Sequence, residues 1–148
     1  MYIKSVRIVL PFFVLLLAVS CVLPISPPTS TAEECMWWAF EHATYKSEEP
    51  GKDHWQTPEE TLLLGTGDCE DFAILCMWKM RECGLDSALG CIPMKNGTFH
   101  AVVVCGLLVF DPASPRCTYD IDAVLYSIPY EVVEIILHAE NHITIPFM

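Results

Sequence analysis

The sequence predicts an α+β domain, and three observations predict it. The first half carries apolar residues at helical spacing, from Glu33 to Ser47 and again from Asp68 to Cys83. After Gly84 the period changes to short β-rich runs, His100 to Cys105 (HAVVVC) and Leu107 to Asp111 (LLVFD), which meet at Gly106. Between the two halves, Gly67-Asp68-Cys69-Glu70-Asp71 places a cysteine where a glycine turn becomes the start of a helix. Helices followed by an antiparallel hairpin, segregated along the chain, are the pattern of an α+β fold.

At 148 residues the chain holds one domain and, at most, a targeting segment. An apolar content of 53% is enough for a core, which argues against a disordered chain. The formal charge of −11 excludes nucleic acid as a partner, because a polyphosphate needs a basic face. Lys4 and Arg7 precede the apolar run Ile8 to Val19, and Ser20-Cys21 follows. A basic start, an apolar centre and small residues describe a signal peptide over 1–21, or an uncleaved membrane anchor. Leu17-Ala18-Val19-Ser20-Cys21 also resembles a bacterial-type lipobox, with Cys21 as the lipidated residue. Each alternative puts the rest of the chain outside the cytoplasm and makes the N-terminal segment its contact with the membrane.

Residues 22–32, rich in Pro, Ser and Thr, read as a short tether, which leaves 33–148 as the domain. In the first helix Met36, Trp37, Phe40 and Ala43 form the apolar stripe expected to pack on the core. Glu48 to Asp53 is a polar loop. Thr57-Pro58-Glu59-Glu60 starts a second helix with a capping box, and Gly65 stops it. A third helix begins at Asp68 or Cys69, with Asp68 as N-cap and Asp71 three residues on, and its apolar residues on most faces predict burial. Ala88 to Met94 reads as a strand and Lys95 to Thr98 as a turn. Tyr119 to Tyr126 fits strand or loop, Pro129 to Glu140 a helix, and Ile143 to Phe147 a last strand.

The eight cysteines include no CxxC pair, which argues against a zinc ribbon or a thioredoxin-type redox motif. Cys69, Cys76 and Cys83 lie seven apart on one helix, about 10 Å from each other, too far to bridge. Cys76 and Cys83 read as inert packing. Cys69 differs because the first N–H groups of a helix carry partial positive charge, which favours a thiolate. A cysteine nucleophile needs a base, and the base gains from an orienting third group. A chain reversal centred on Cys105 and Gly106 sets Val104 opposite Leu107, Val102 opposite Val109 and His100 opposite Asp111, about 5 Å apart at Cβ. Cys69 as nucleophile, His100 as base and Asp111 as its orienter are the candidate catalytic residues. His42, His54, His138 and His142 lack a comparable setting and read as surface or interface residues. Asp68, Glu70 and Asp71 oppose a thiolate. Asp68 and Asp71 are explained as helix caps, while a bound calcium, a hard cation taking oxygen ligands, would neutralise the cluster.

These strings resemble the transglutaminase-like cysteine peptidase superfamily, which shares the papain-type Cys-His-Asp arrangement. The matching segments are Trp55 to Glu60, Gly65 to Ala73, Phe99-His100-Ala101 and Phe110-Asp111-Pro112, in the family's order across roughly residues 33–112. The resemblance implies a papain/transglutaminase-like core, with the nucleophile helix packed on an antiparallel sheet. It also implies a cysteine-dependent hydrolase of amide (peptide or isopeptide) bonds acting on a protein or peptide through a thioester. Its triad needs no cofactor. The GDCED string is especially similar to the exported bacterial branch, in which acids beside the cysteine can bind calcium. Trp55 or Gln56 would be an additional oxyanion donor. Two features depart from the pattern: Val102 stands where an aromatic residue often follows the His-Ala pair, and the segment from His100 to Asp111 is short. Transamidation or deamidation would use the same triad. The alternatives outside enzymology are a binding module on the same fold and a structural domain in which Cys69 is bridged.

Overall fold

A computed structural model describes residues 29–49, 53–115 and 119–138. The N-terminal segment, Cys21, Cys117, His142 and the expected last strand lie outside these. Three helices, a two-stranded parallel ladder and the first three strands of a four-stranded antiparallel sheet follow in the order α1 (Thr29–His42), β1 (Thr44–Tyr45), α2 (Pro58–Leu64), β2 (Thr66–Gly67), α3 (Cys69–Glu82), β3 (Ala88–Pro93), β4 (Phe99–Cys105) and β5 (Leu108–Phe110). A 3₁₀ turn (Ile121–Ala123), β6 (Tyr126–Pro129) and α4 (Tyr130–His138) complete the described chain. The sheet order is β5-β4-β3-β6, every neighbour antiparallel. The α+β reading of the sequence holds, with the cysteine's helix against the sheet.

α3 is the central element. Asp71 to Met77 and Met80 are buried along it, and its core neighbours come from α1, α4 and one face of the sheet. Ala101, Val103 and Cys105 of β4 line that face. Strand alternation sends Val102 and Val104 to the other face, where they pack with Ile92, Val109 and the segment from Tyr119 to Val124. Ile74 and Leu75 are fully buried, so truncating either to alanine would cost about 2–5 kcal/mol.

α1 differs from expectation in extent and in face. It begins at Thr29, inside the segment read as a tether, and ends at His42. Its buried stripe is Ala32, Cys35, Met36 and Ala39, while Trp37 and Phe40 stand out in an edge-to-face pair 5.9 Å apart. Small residues on the inner stripe let α1 approach α3 closely, a contact that Trp37 and Phe40 would prevent. Ala43 lies beyond the helix because the chain leaves it to pair with the segment before α3: Thr44 N–H donates to Gly65 O (2.9 Å) and Lys46 N–H to Gly67 O (2.8 Å). The stretch that fits strand or loop, Tyr119 to Tyr126, is a loop with the 3₁₀ turn up to Leu125, and only Tyr126 enters a strand. Tyr126 to Pro129 pairs with β3 at a sheet edge, a place that tolerates proline, so α4 starts only at Tyr130.

Candidate active site

The helix carrying Cys69 is fixed at its head by its neighbours. Thr57 and Glu60 form the capping box of α2, and Gly65, at φ 64°, ends that helix in the left-handed conformation. Two residues later Gly67 meets Asp71: a Cβ on Gly67 would lie 2.6 Å from the Asp71 Cβ and 2.8 Å from its Oδ2. Only glycine fits there. The fully buried Asp71 carboxylate accepts from Gln56 N–H at 2.8 Å and from Asp68 N–H at 3.1 Å. Burial pushes Asp71 up to about 6, and the two backbone donors act the other way. Asp71 is therefore a structural tie between α3 and the segment before α2. Gln56 spends its main-chain N–H on it.

Cys69 is the first residue of α3, and its thiol donates to Glu70 Oε2 at 3.1 Å. Burial and then the Glu70 charge push the thiol well up, while the Ala101 backbone on β4 favours the thiolate. The helix terminus alone predicts easier ionisation. In this arrangement desolvation and the adjacent carboxylate outweigh it, because both act on the charged form at closer range. Asp68 and Glu70 share a hydrogen bond, and burial followed by Glu70 pushes Asp68 up to about 8. Asp68 Oδ1 is buried without a hydrogen-bond partner among the described residues, and Glu48 and Asp53 add negative charge.

His100 Nε2 lies 2.9 Å from Asp111 Oδ2. The pairing arises differently from the reversal read in the sequence. The observed register is Val103↔Phe110, Val104↔Val109 and Cys105↔Leu108, two residues away from the expected one. The turn is made by Gly106 and Leu107, and Gly106 takes the positive φ of 61° that such a tight hairpin needs at its first position. An even shift keeps every side chain on its face, so His100 and Asp111 still meet, now as diagonal neighbours at the end of the ladder. Asp111 is 1% exposed, and its Oδ1 accepts from the N–H groups of Ala113 and Ser114 at 3.1 Å each. Those bonds fix the carboxylate independently of His100. The Tyr119 ring stands 6.0 Å from the imidazole.

The structure thus joins two of the three candidate residues directly and brings the third to the same end of β4. Strand alternation puts His100 on the face of Val102, whereas Cys69 approaches from the α3 side and reaches the backbone of Ala101. The thiol and the imidazole are not hydrogen-bonded to each other; the thiol is held by Glu70. With Nε2 engaged by Asp111, Nδ1 is the imidazole nitrogen left for a proton. Sequence reasoning missed Tyr45, which β1 sets beside the same cluster: burial raises its phenol, and Cys69, Asp68 and Glu70 add to that. A two-residue strand leaves no periodic signal by which to find it. His42, His54 and His138 are exposed, as read.

Among the described residues, no three His, Cys, Asp or Glu side chains converge as a metal set. Asp68 and Glu70 nonetheless fit a hard cation chemically, since a buried carboxylate oxygen without a partner and a cluster of negative charge both lack compensation.

The transglutaminase-like superfamily model matches residues 17–106, a span that includes Cys69 and His100 and ends before Asp111. Legionella pneumophila LapG superposes with a TM-score of 0.55 at 19% identity, over 68% of this chain and 62% of LapG. Its calcium-bound form gives 0.53 at 21% identity, over 69% and 63%. The EGTA-treated form gives 0.55 at 19%, over 68% and 60%. The chain therefore spans about three fifths of the length of these LapG structures. At such identities the likeness is one of fold. No curated protein sequence matches the chain.

Proposed function

The chain belongs to the transglutaminase-like superfamily, and from that premise we propose that it is a cysteine-dependent hydrolase of peptide or isopeptide bonds in proteins. Cys69 is the nucleophile, His100 the general base and then acid, and Asp111 the residue that orients the imidazole. The observation that carries this reading is the 2.9 Å bond between His100 and the buried Asp111, beside the strand residue that contacts the Cys69 sulfur.

In the reaction, His100 takes the thiol proton through Nδ1 while Asp111 holds the opposite edge of the ring. The thiolate adds to the amide carbonyl. The Cys69 main-chain N–H, at the head of α3, is the donor offered to the resulting oxyanion. Imidazolium then protonates the leaving amine, and a thioester remains. Water attacks the thioester with His100 again as base, which releases the acid and restores the thiol. An amine in place of water would give transamidation by the same acyl-enzyme.

Calcium belongs to the same proposal. Asp68 and Glu70 would hold it, and the ion would supply positive charge where the cluster now opposes a thiolate. LapG is known in a calcium-bound form, and the unpartnered Asp68 oxygen is this chain's own reason for the assignment. The extracytoplasmic, membrane-tethered location rests on residues 1–21. Among the described residues no helix is long and apolar enough to cross a membrane.

A second reading, a binding module on the same fold, is favoured by one observation: the thiol bonds to Glu70 and not to His100. Alkylation of Cys69 with iodoacetamide across pH, followed by peptide mass spectrometry on the full-length chain, separates the two. The enzyme reading expects rapid labelling in calcium below the pKa of about 8.5 of a free thiol, lost in His100→Ala. Labelling slower than a free thiol in both calcium and EGTA would leave the binding module.

A further inference from the structure

The structure contradicts the expectation that Cys83 is inert packing. Cys83 caps the C-terminus of α3 and is exposed, while Cys35, 3% exposed, projects from the inner stripe of α1 toward it. Their sulfurs are 3.7 Å apart, across 48 residues of sequence, and the Cys35 thiol donates to the Cys83 sulfur. Among the six described cysteines, Cys35, Cys76, Cys91 and Cys105 are buried and Cys69 is partly covered, which leaves Cys83 as the one an external reagent meets first. Cys35 also lies near Cys76, two turns earlier on α3, but no hydrogen bond joins that pair.

We infer that Cys35 and Cys83 are a disulfide-forming pair that staples α1 across the C-terminal end of α3. The oxidant is an external disulfide, protein or small molecule, and the electrons balance. The Cys83 thiolate attacks that disulfide, forms a mixed disulfide and releases one thiolate. Cys35, after losing its proton, attacks the Cys83 sulfur, closes the internal bond and releases the second. Two protein thiols are oxidised, one disulfide is reduced to two thiols, and the two protons the protein thiols lose are taken up by the two released thiolates. Lys79, one turn before Cys83, supports the second step: its ammonium lies 4.9 Å over the Trp38 ring and favours the Cys35 thiolate. That help counts because burial and Cys83 otherwise push Cys35 up to about 12. Only a short movement separates the sulfurs from the bonded distance of about 2.05 Å.

The site is distinct from the candidate catalytic centre. Cys69 and Cys83 stand at opposite ends of α3, about 21 Å apart along its axis, so the staple cannot draw in Cys69. Oxidation at the far end consumes the exposed thiol and leaves Cys69 as the accessible one. The inference does not depend on Cys69 being a nucleophile.

The test equilibrates the full-length chain, in mild detergent, with oxidised and reduced glutathione at graded ratios. Acid quench, alkylation and non-reducing peptide mapping follow. The expected result is one linked peptide joining Cys35 to Cys83, with both residues leaving the alkylated pool together. The oxidised protein should melt about 5 °C or more above the reduced one. Cys83→Ser, at an exposed position, should fold and lose that difference. A Cys76–Cys83 or Cys69-containing link would overturn the inference. So would stable glutathione adducts on Cys83 with Cys35 still free, or an equal melting shift in Cys83→Ser.

Discussion

His100 Nε2 and Asp111 Oδ2 are hydrogen-bonded at 2.9 Å although they are not directly opposed in the hairpin. The contact depends on the carboxylate being placed from its own loop, where Ala113 and Ser114 hold Oδ1. Asp111→Asn keeps that oxygen and exchanges the one facing His100 for an amide donor, which selects the wrong imidazole tautomer. Hydrolytic turnover should fall about 10²–10⁴-fold with little change in melting temperature. Equal losses of both would instead assign Asp111 to stability alone.

Glu70 governs the thiol. Its carboxylate accepts the Cys69 proton and opposes ionisation. In EGTA, Glu70→Gln should accelerate alkylation of Cys69 at pH 7 by at least about tenfold. An unchanged rate would show that burial alone holds the thiol protonated.

The acids at the head of α3 also set how metal-free stability depends on pH. Asp68 is pushed to about 8 and Asp71 to about 6, both above the roughly 3.9 of an unfolded aspartate. Such groups bind a proton more tightly when folded. Their stabilisation is fully present below pH 4 and is lost as pH rises through 6 and then 8. In EGTA the melting temperature should therefore drop between pH 5.5 and 8.5, and Asp68→Asn should flatten the slope. Calcium should restore stability at the upper end. A melting temperature that climbs with pH in EGTA would contradict this.

Gly67→Ala puts a methyl group inside contact distance of the Asp71 side chain. The tie that Asp71 makes to Gln56 and Asp68 then has to shift, at about 1–3 kcal/mol. Urea denaturation of the variant measures it. A neutral result would mean that Asp71 moves freely, against its burial.

Much of this was legible in the residues because the signals were local. The capping box at Thr57 and Glu60, the glycine stop at Gly65, and Asp68 with Asp71 at the head of α3 each depend on neighbours within four positions. The hairpin face was legible too, since the two-residue slip in register preserved alternation. What escaped depends on tertiary contact. The buried stripe of α1 is chosen by how closely α3 approaches, which favours Cys35 and Ala39 over Trp37 and Phe40. The two-residue β1 has no periodicity and exists only because β2 offers it hydrogen bonds. The bond from Cys69 to Glu70 could not be weighed against the helix terminus without knowing the burial of both.

The pairing of β1 with β2 has a consequence for how this chain can vary. The segment between Lys46 and Gln56 is clamped on either side of Cys69, by Lys46 N–H to Gly67 O before it and by Gln56 N–H to Asp71 Oδ1 after it. Its length is thereby uncoupled from the position of the sulfur. Residues inserted between the two clamps leave both bonds in place, and each doubling of such a loop costs only about 0.6 kcal/mol in closure entropy. The chain can lengthen there while the chemistry between its two anchors stays where it is.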